Sequence, residues 1–102
     1  MRRNQATHCP AESTVGVIGG RWKVVIVWHL FSGTLRFSDL RRALPACTPK
    51  MLTRQLRELE SDGVVRRKVY LQVPPKVEYS LTDRGASLKP VIESMCRWGG
   101  GK

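Results

Sequence analysis

The stretch Thr48-Pro49-Lys50-Met51-Leu52-Thr53-Arg54-Gln55-Leu56-Arg57-Glu58-Leu59-Glu60-Ser61-Asp62-Gly63 constrains this chain more than any other. It reads as a capped helix with one greasy face and one basic face. The Thr48 hydroxyl suits the cap, and Pro49 suits the first helical position, where its missing N–H is no loss. Gly63 can close the far end in the left-handed conformation. At about 100° per residue, Leu52, Leu56 and Leu59 fall in one narrow stripe, with Lys50, Arg54, Arg57 and Ser61 opposite. A helix that buries leucines and offers Lys and Arg outward suits a DNA major groove, where those side chains reach guanine edges or phosphates. A solvated face of an ordinary helix would look the same in isolation, so its surroundings decide.

Charge supports the first reading. Lys and Arg number 18 against 8 acidic residues, a net charge of +10, with a pI near 10.4. That balance attracts polyanions over long range. A membrane is the rival polyanion, but the longest apolar run, Val24 to Phe31, contains His29 and is far too short to span one. The start, Met1 to His8, has charge but no apolar segment behind it, unlike a secretory signal. The expected compartment is therefore the cytoplasm. The expected organisation is a flexible basic segment 1–8, one domain over 9–99 and a tail over 100–102.

Cys9, Cys47 and Cys96 are odd in number and widely spaced, with no Cys-x-x-Cys pair. With His8 and His29 they make no tetrahedral set, so neither a metal nor a cofactor is expected. A cysteine-dependent enzyme would need a base beside a thiol. His29 sits in an apolar run, and sequence adjacency of His8 to Cys9 does not establish geometry. Catalysis is not expected. RNA binding is disfavoured because exposed stacking aromatics are not evident.

Elsewhere, Pro10 and Glu12 mark a helix start, with Val15 and Ile18 as its apolar residues and Gly19-Gly20 as its end. Arg21 to Phe31 is apolar almost all round. Its β-branched residues also suit a strand, but its length and boundaries favour a buried helix. Leu35-Arg36-Phe37 suits a short strand. Ser38 is placed to cap a third helix, with Asp39 in its first turn and Leu40 and Leu44 buried. Two short helices joined by a tight turn, the second basic on its free side, is the helix-turn-helix arrangement. After Gly63, Val64 to Tyr70 and Lys76 to Leu81 read as a two-stranded ribbon around a proline-bearing tip. It carries Arg66, Arg67, Lys68 and Lys76, which makes it either a wing that touches DNA or a charged edge guarded against strand pairing. Thr82 caps a last helix, in which Pro90 marks a bend or the true start. Leu88, Val91, Ile92 and Met95 recur there at helical spacing, with Trp98 at the edge. That stripe either covers its own core or pairs with its twin. The fold class expected is α+β, mainly α: a winged helix-turn-helix with a two-stranded wing, its terminal helices being dimerisation helices if the stripe pairs with its twin.

At this point the chain resembles the HxlR-type branch of winged helix-turn-helix transcription regulators, relatives of the MarR type. The matching pieces are Cys9-Pro10, Gly19-Gly20-Arg21-Trp22-Lys23, Trp28-His29-Leu30, Arg36-Phe37-Ser38-Asp39-Leu40-Arg41, Lys50 to Glu60, Val73 to Thr82 and Trp98-Gly99. The resemblance implies a homodimer held by its first and last helices, with Val15, Ile18, Leu88, Val91, Ile92, Met95 and Trp98 in the interface. It implies double-stranded DNA as partner, with two recognition helices on a pseudo-palindrome whose half-sites lie on the order of 34 Å apart. The expected DNA contacts are Thr48, Lys50, Thr53, Arg54 and Arg57, joined by Arg36, Arg66, Lys68 and Lys76. Leu71-Gln72 departs from the Pro-Glu pair often found before Val-Pro-Pro, and Cys47 replaces a usually aliphatic residue. The function expected is a sequence-specific regulator acting as a repressor.

Several relatives sense electrophiles or oxidants through a cysteine near the N-terminus, and Cys9 occupies that place. A helix start favours the thiolate. Cys9 is equally suited to packing as a small apolar residue in a dimer seam. Cys47 immediately precedes the recognition-helix cap, where an adduct or disulfide would tilt that helix. Pairing of Cys9 with Cys47 or Cys96 of a second subunit is one expectation. Cys96 is otherwise interface filler. The alternative is a regulator gated by a small-molecule effector, with Trp22, Trp28, Phe31 and Trp98 around an apolar pocket or simply in the core.

Overall fold

A computed structural model describes residues 9–100. The expected basic segment 1–8, His8 included, and the last two residues of the expected tail lie outside them. Six helices and three strands run in the order α1 (Pro10–Ile18), α2 (Lys23–Leu30), β1 (Leu35–Arg36), α3 (Phe37–Ala43), α4 (Pro49–Ser61), β2 (Val65–Tyr70), β3 (Lys76–Leu81), α5 (Asp83–Ala86) and α6 (Lys89–Gly100). Helices surround a core of Ile18, Ile26, Val27, Leu30, Leu40, Leu44, Cys47, Leu52, Leu56, Leu59, Val64, Val65, Tyr79 and Ile92. Each fully buried aliphatic side chain contributes roughly 1.5–3 kcal/mol.

The chain's punctuation explains most boundaries. The Thr48 hydroxyl accepts the Met51 N–H at 3.1 Å, and Pro49 opens α4. Gly63 closes it at φ +75°, a conformation in which a side chain would be strained. Thr82 accepts the Gly85 N–H at 3.0 Å and so starts α5.

Three boundaries differ from expectation. Helix α3 begins at Phe37, not after Ser38. The Asp39 carboxylate reaches back to accept the Arg36 N–H at 2.9 Å, so an acid in the first turn caps the helix from inside. The stripe after Thr82 is two helices: α5 ends at Ala86, and Pro90 lies at the start of α6, where its ring fits. Helix α6 also continues through Gly100, where a tail was expected to begin.

The ribbon is a three-stranded antiparallel sheet in the order β1-β3-β2. Leu35 pairs with Tyr79 and Arg36 with Glu78 across one ladder. Lys68 pairs with Glu78 and Tyr70 with Lys76 across the other. Alternation puts Val65 and Tyr79 on the core face. It puts Arg36, Arg66, Lys68, Tyr70, Lys76 and Glu78 on the opposite face.

Helix α2 is less enclosed than its composition implied. Ile26, Val27 and Leu30 are buried, yet Trp28 is half exposed.

Candidate nucleic-acid interface

Helix α4 places its two chemistries on separate sides. Leu52, Leu56 and Leu59 are fully buried. A groove opposite is lined by Lys50, Thr53, Arg54, Arg57, Glu58 and Ser61. Among the described residues, the side chains of Lys50, Arg54 and Arg57 make no ion pair or hydrogen bond, so their donors face solvent. Thr53 differs: its hydroxyl donates to the Pro49 carbonyl at 2.9 Å, which leaves it an acceptor and a methyl group to offer a ligand. Glu58 is an acid at the margin of this face. Its Oε1 lies 2.7 Å from the Nζ of Lys23, at the start of α2. The Lys23 hydrogen bond, with the Lys23 charge and a smaller effect of Arg54, holds the Glu58 carboxyl below its usual range.

Thr48 is exposed, but its oxygen is committed to the helix cap. A second depression lies between α3 and the start of α4, lined by Ser38, Arg41, Arg42, Cys47, Thr48 and Pro49 with Pro45. Arg42 is held by the Asp39 carboxylate at 2.6 Å, while Arg41 is exposed and unpaired among the described residues. Sequence reasoning assigned Arg41 and Arg42 no role. Two adjacent arginines in the first helix of a helix-turn-helix were the available signal, since in motifs of this kind the first helix generally crosses the DNA backbone.

On the sheet, Arg66 and Lys68 are exposed and Arg36 joins them through β1. Lys76 is less free. Its Nζ lies 4.3 Å from the Tyr70 ring centroid and 3.6 Å from Glu78 Oε2. The Lys68 ammonium also lies over Tyr70, at 5.0 Å. Tyr70 thus gathers two cations by its ring face, and Glu78 offsets part of their charge.

The expected interface residues divide. Val15, Val91, Met95 and Trp98 are exposed, Trp98 at 83%. Ile18 and Ile92 are instead buried in the protomer's own core, and Leu88 packs half-buried against it. The stripe from Leu88 to Trp98 thus serves core and surface at once.

The thiols divide too. Cys9 is exposed at the cap position of α1, with its carbonyl accepting the Glu12 N–H at 2.8 Å. Cys47 is only 4% exposed, and burial pushes its thiol pKa up. Cys47 was expected to be a redox-sensing residue before the α4 cap; its burial in the core disfavours the thiolate that such a role needs. Cys96 is exposed and borders an apolar depression with Val24, Val25, Trp28, Ile92 and Met95. Among the described residues no group of His, Cys, Asp and Glu is placed to hold a metal ion. No described helix is long and apolar enough to cross a membrane.

The comparisons agree with this arrangement. The HxlR-like helix-turn-helix family matches residues 17–102. The uncharacterized HTH-type transcriptional regulator YybR of Bacillus subtilis (strain 168) is 55% identical over 91 residues, which is 89% of this chain and 73% of that protein. The redox regulator HypR in its oxidized form superposes with a TM-score of 0.87 at 53% identity, covering 92% of this chain and 97% of HypR. The reduced form of the transcriptional regulator YodB from B. subtilis superposes at 0.80 and 36% identity, covering 90% of this chain and 91% of YodB. YybR and YodB are transcriptional regulators by name, and the matched family is one of non-enzymatic, DNA-binding regulators. With a family match over most of its length and a relative more than half identical, this chain belongs to the HxlR-like helix-turn-helix family of transcriptional regulators.

Proposed function

We propose that this chain is a cytoplasmic, homodimeric repressor that binds a pseudo-palindromic double-stranded DNA site and releases it when Cys9 is oxidised or alkylated. The observation that carries the DNA reading is α4, whose leucines are buried while Lys50, Arg54 and Arg57 stand unpaired around one groove. In the major groove, Arg54 and Thr53 read base edges while Lys50 and Arg57 meet phosphates. Thr48 sets where the helix begins. Arg41 and Arg42 approach the backbone from α3, and Arg36, Arg66, Lys68 and Lys76 do so from the outer face of the sheet. A second copy covers the exposed Val15, Val91, Met95 and Trp98, whose solvation would otherwise be unfavourable.

The thiol switch draws support from two facts. Cys9 is exposed at the start of a helix belonging to the proposed interface. HypR, solved in oxidized and reduced forms, and YodB, solved reduced and diamide-treated, are similar to this chain. Cys47 and Cys96 are the available partners for a Cys9 disulfide in a second subunit, Cys47 only after local opening of its core. A gel shift on the DNA upstream of the protein's own gene, reduced and then treated with a mild thiol oxidant, tests the reading. Binding only when reduced, abolished as a response by Cys9→Ser, is the expected result. Oxidant-insensitive binding would remove the thiol switch, and no sequence-specific binding in either state would remove the DNA reading.

A second reading keeps the DNA function but gates it with a small apolar effector. It rests on the depression of about 300 Å³ lined by Val24, Val25, Trp28, Ile92, Met95 and Cys96. Release of DNA by an apolar ligand, unaffected by Cys9→Ser, would favour it.

A further inference from the structure

The recognition face carries an acid in an awkward place. Glu58 lies one turn beyond Arg54, the spacing at which oppositely charged side chains on a helix attract. A carboxylate there has two adverse effects on DNA binding. It repels phosphates, and it competes for the guanidinium protons that would otherwise reach a base. The structure gives that carboxylate another partner. Lys23, from the start of α2, holds Glu58 Oε1 at 2.7 Å, and its side chain is 12% exposed against 49% for Glu58. A largely buried lysine stem has little rotamer freedom left to lose on pairing, unlike an exposed surface cation. It is therefore a fixed anchor on one side of α4, toward which Glu58 is drawn.

We propose that Lys23 is a positioning residue for DNA recognition: by holding Glu58 against α2, it keeps the Arg54 guanidinium free to reach a base. The inference rests on α4 being the recognition helix. It assigns Lys23 no DNA contact of its own, although it is a cation close to the groove. The lowered pKa of Glu58 fits the same arrangement, because its largest cause is the hydrogen bond from Lys23. Without Lys23, the cation on α4 that still acts on Glu58 electrostatically is Arg54, one turn away.

Four full-length variants test this on a DNA site selected by the protein from a random pool, with a scrambled site as reference. Lys23→Met should weaken cognate binding about tenfold, the low end of what one bidentate base contact is worth, and erode discrimination against the scrambled site. Glu58→Gln should bind within about twofold of wild type, and Lys23→Arg likewise, a difference of under 0.5 kcal/mol. The decisive variant is Lys23→Met/Glu58→Gln, which should recover to within about threefold of wild type. A double variant as weak as Lys23→Met would overturn the inference, since Lys23 would then touch DNA or hold the fold by itself. Wild-type affinity for Lys23→Met would overturn it equally. A readout without DNA separates this from the reading of α4. The Arg54 Nε–H NMR resonance should shift in Lys23→Met and return in the double variant. An Arg54 resonance unmoved by Lys23→Met would overturn the inference even if DNA binding were lost for other reasons. Absence of specific binding by wild type would remove α4 as a recognition helix while the resonance still decides the role of Lys23.

Discussion

Replacing Gly85 with alanine should destabilise this protein more than any exposed substitution, although Gly85 touches no proposed ligand. Gly85 is buried where α5 packs against the handover from α4 to β2. A Cβ there would collide with the Val64 carbonyl oxygen and lie 3.1 Å from Leu81 Cδ2. The leucine end can move, but the carbonyl cannot do so freely. It accepts the Thr82 N–H at 3.1 Å and lies 3.2 Å from the Thr82 hydroxyl, which also donates to the Gly63 carbonyl. Overpacking a well-filled site typically costs about 1–3 kcal/mol, and a clash with tethered backbone belongs at the upper end, about 3 kcal/mol. For a domain of this size, each kcal/mol lowers Tm by roughly 4–8 °C, so the expected fall is about 12–24 °C. Calorimetry of wild type and Gly85→Ala at equal protein concentration measures it, since association shifts Tm by mass action. The joint also sets the angle between α4 and the sheet, so Gly85→Ala should bind DNA more weakly even at temperatures where it is fully folded. A Tm within about 3 °C of wild type, well under 1 kcal/mol, would refute the view that this joint is closely packed and tethered.

Other consequences are as specific. Thr48→Ala removes the acceptor of the Met51 N–H and should cost about 1 kcal/mol, read as a lower denaturant midpoint at unchanged slope. The Glu58 carboxyl is held below its ordinary value of 4.5 in the folded chain, chiefly by the Lys23 hydrogen bond. Its stabilising contribution is therefore present above about that value and is lost as pH falls through the lower folded value. Denaturation across acidic pH should show this dependence weakened in Lys23→Met. Native alkylation should modify Cys47 last of the three thiols, because its burial both blocks access and disfavours the thiolate. Rapid labelling of Cys47 in the folded protein would contradict the core assigned to it.

Local features of the chain were legible where one segment contains its own physics. The α4 stripe, its Thr48 cap and its Gly63 closure are all written within one stretch, and the Thr82 cap likewise. The start of α3 was misread because Ser38 is a good cap in isolation. Pairing of β1 with β3, distant in the chain, runs the strand up to Arg36 and leaves Asp39 to cap from inside. Periodicity put Ile18 on one face with Val15, and Ile92 in another stripe with Val91, Met95 and, at its edge, Trp98. It cannot tell a protomer's core from a partner-facing surface, since both are apolar. The burial of Cys47 was not legible from its position before a helix, because it comes from residues that fold over it from elsewhere. The Lys23–Glu58 pair and the loading of Lys76 by Tyr70 and Glu78 are likewise products of tertiary proximity.

The most direct test of the central claim is the affinity of wild type, Arg54→Ala and Lys76→Ala for a selected DNA site and a scrambled one across a range of salt. Arg54→Ala should lose roughly 1–3 kcal/mol on the selected site and much less on the scrambled one. Lys76→Ala should weaken both alike and flatten the salt slope by up to about one unit, less to the extent that Glu78 already offsets its charge. Equal losses for Arg54→Ala on both DNAs, or none, would contradict the account of α4 as the helix that reads sequence.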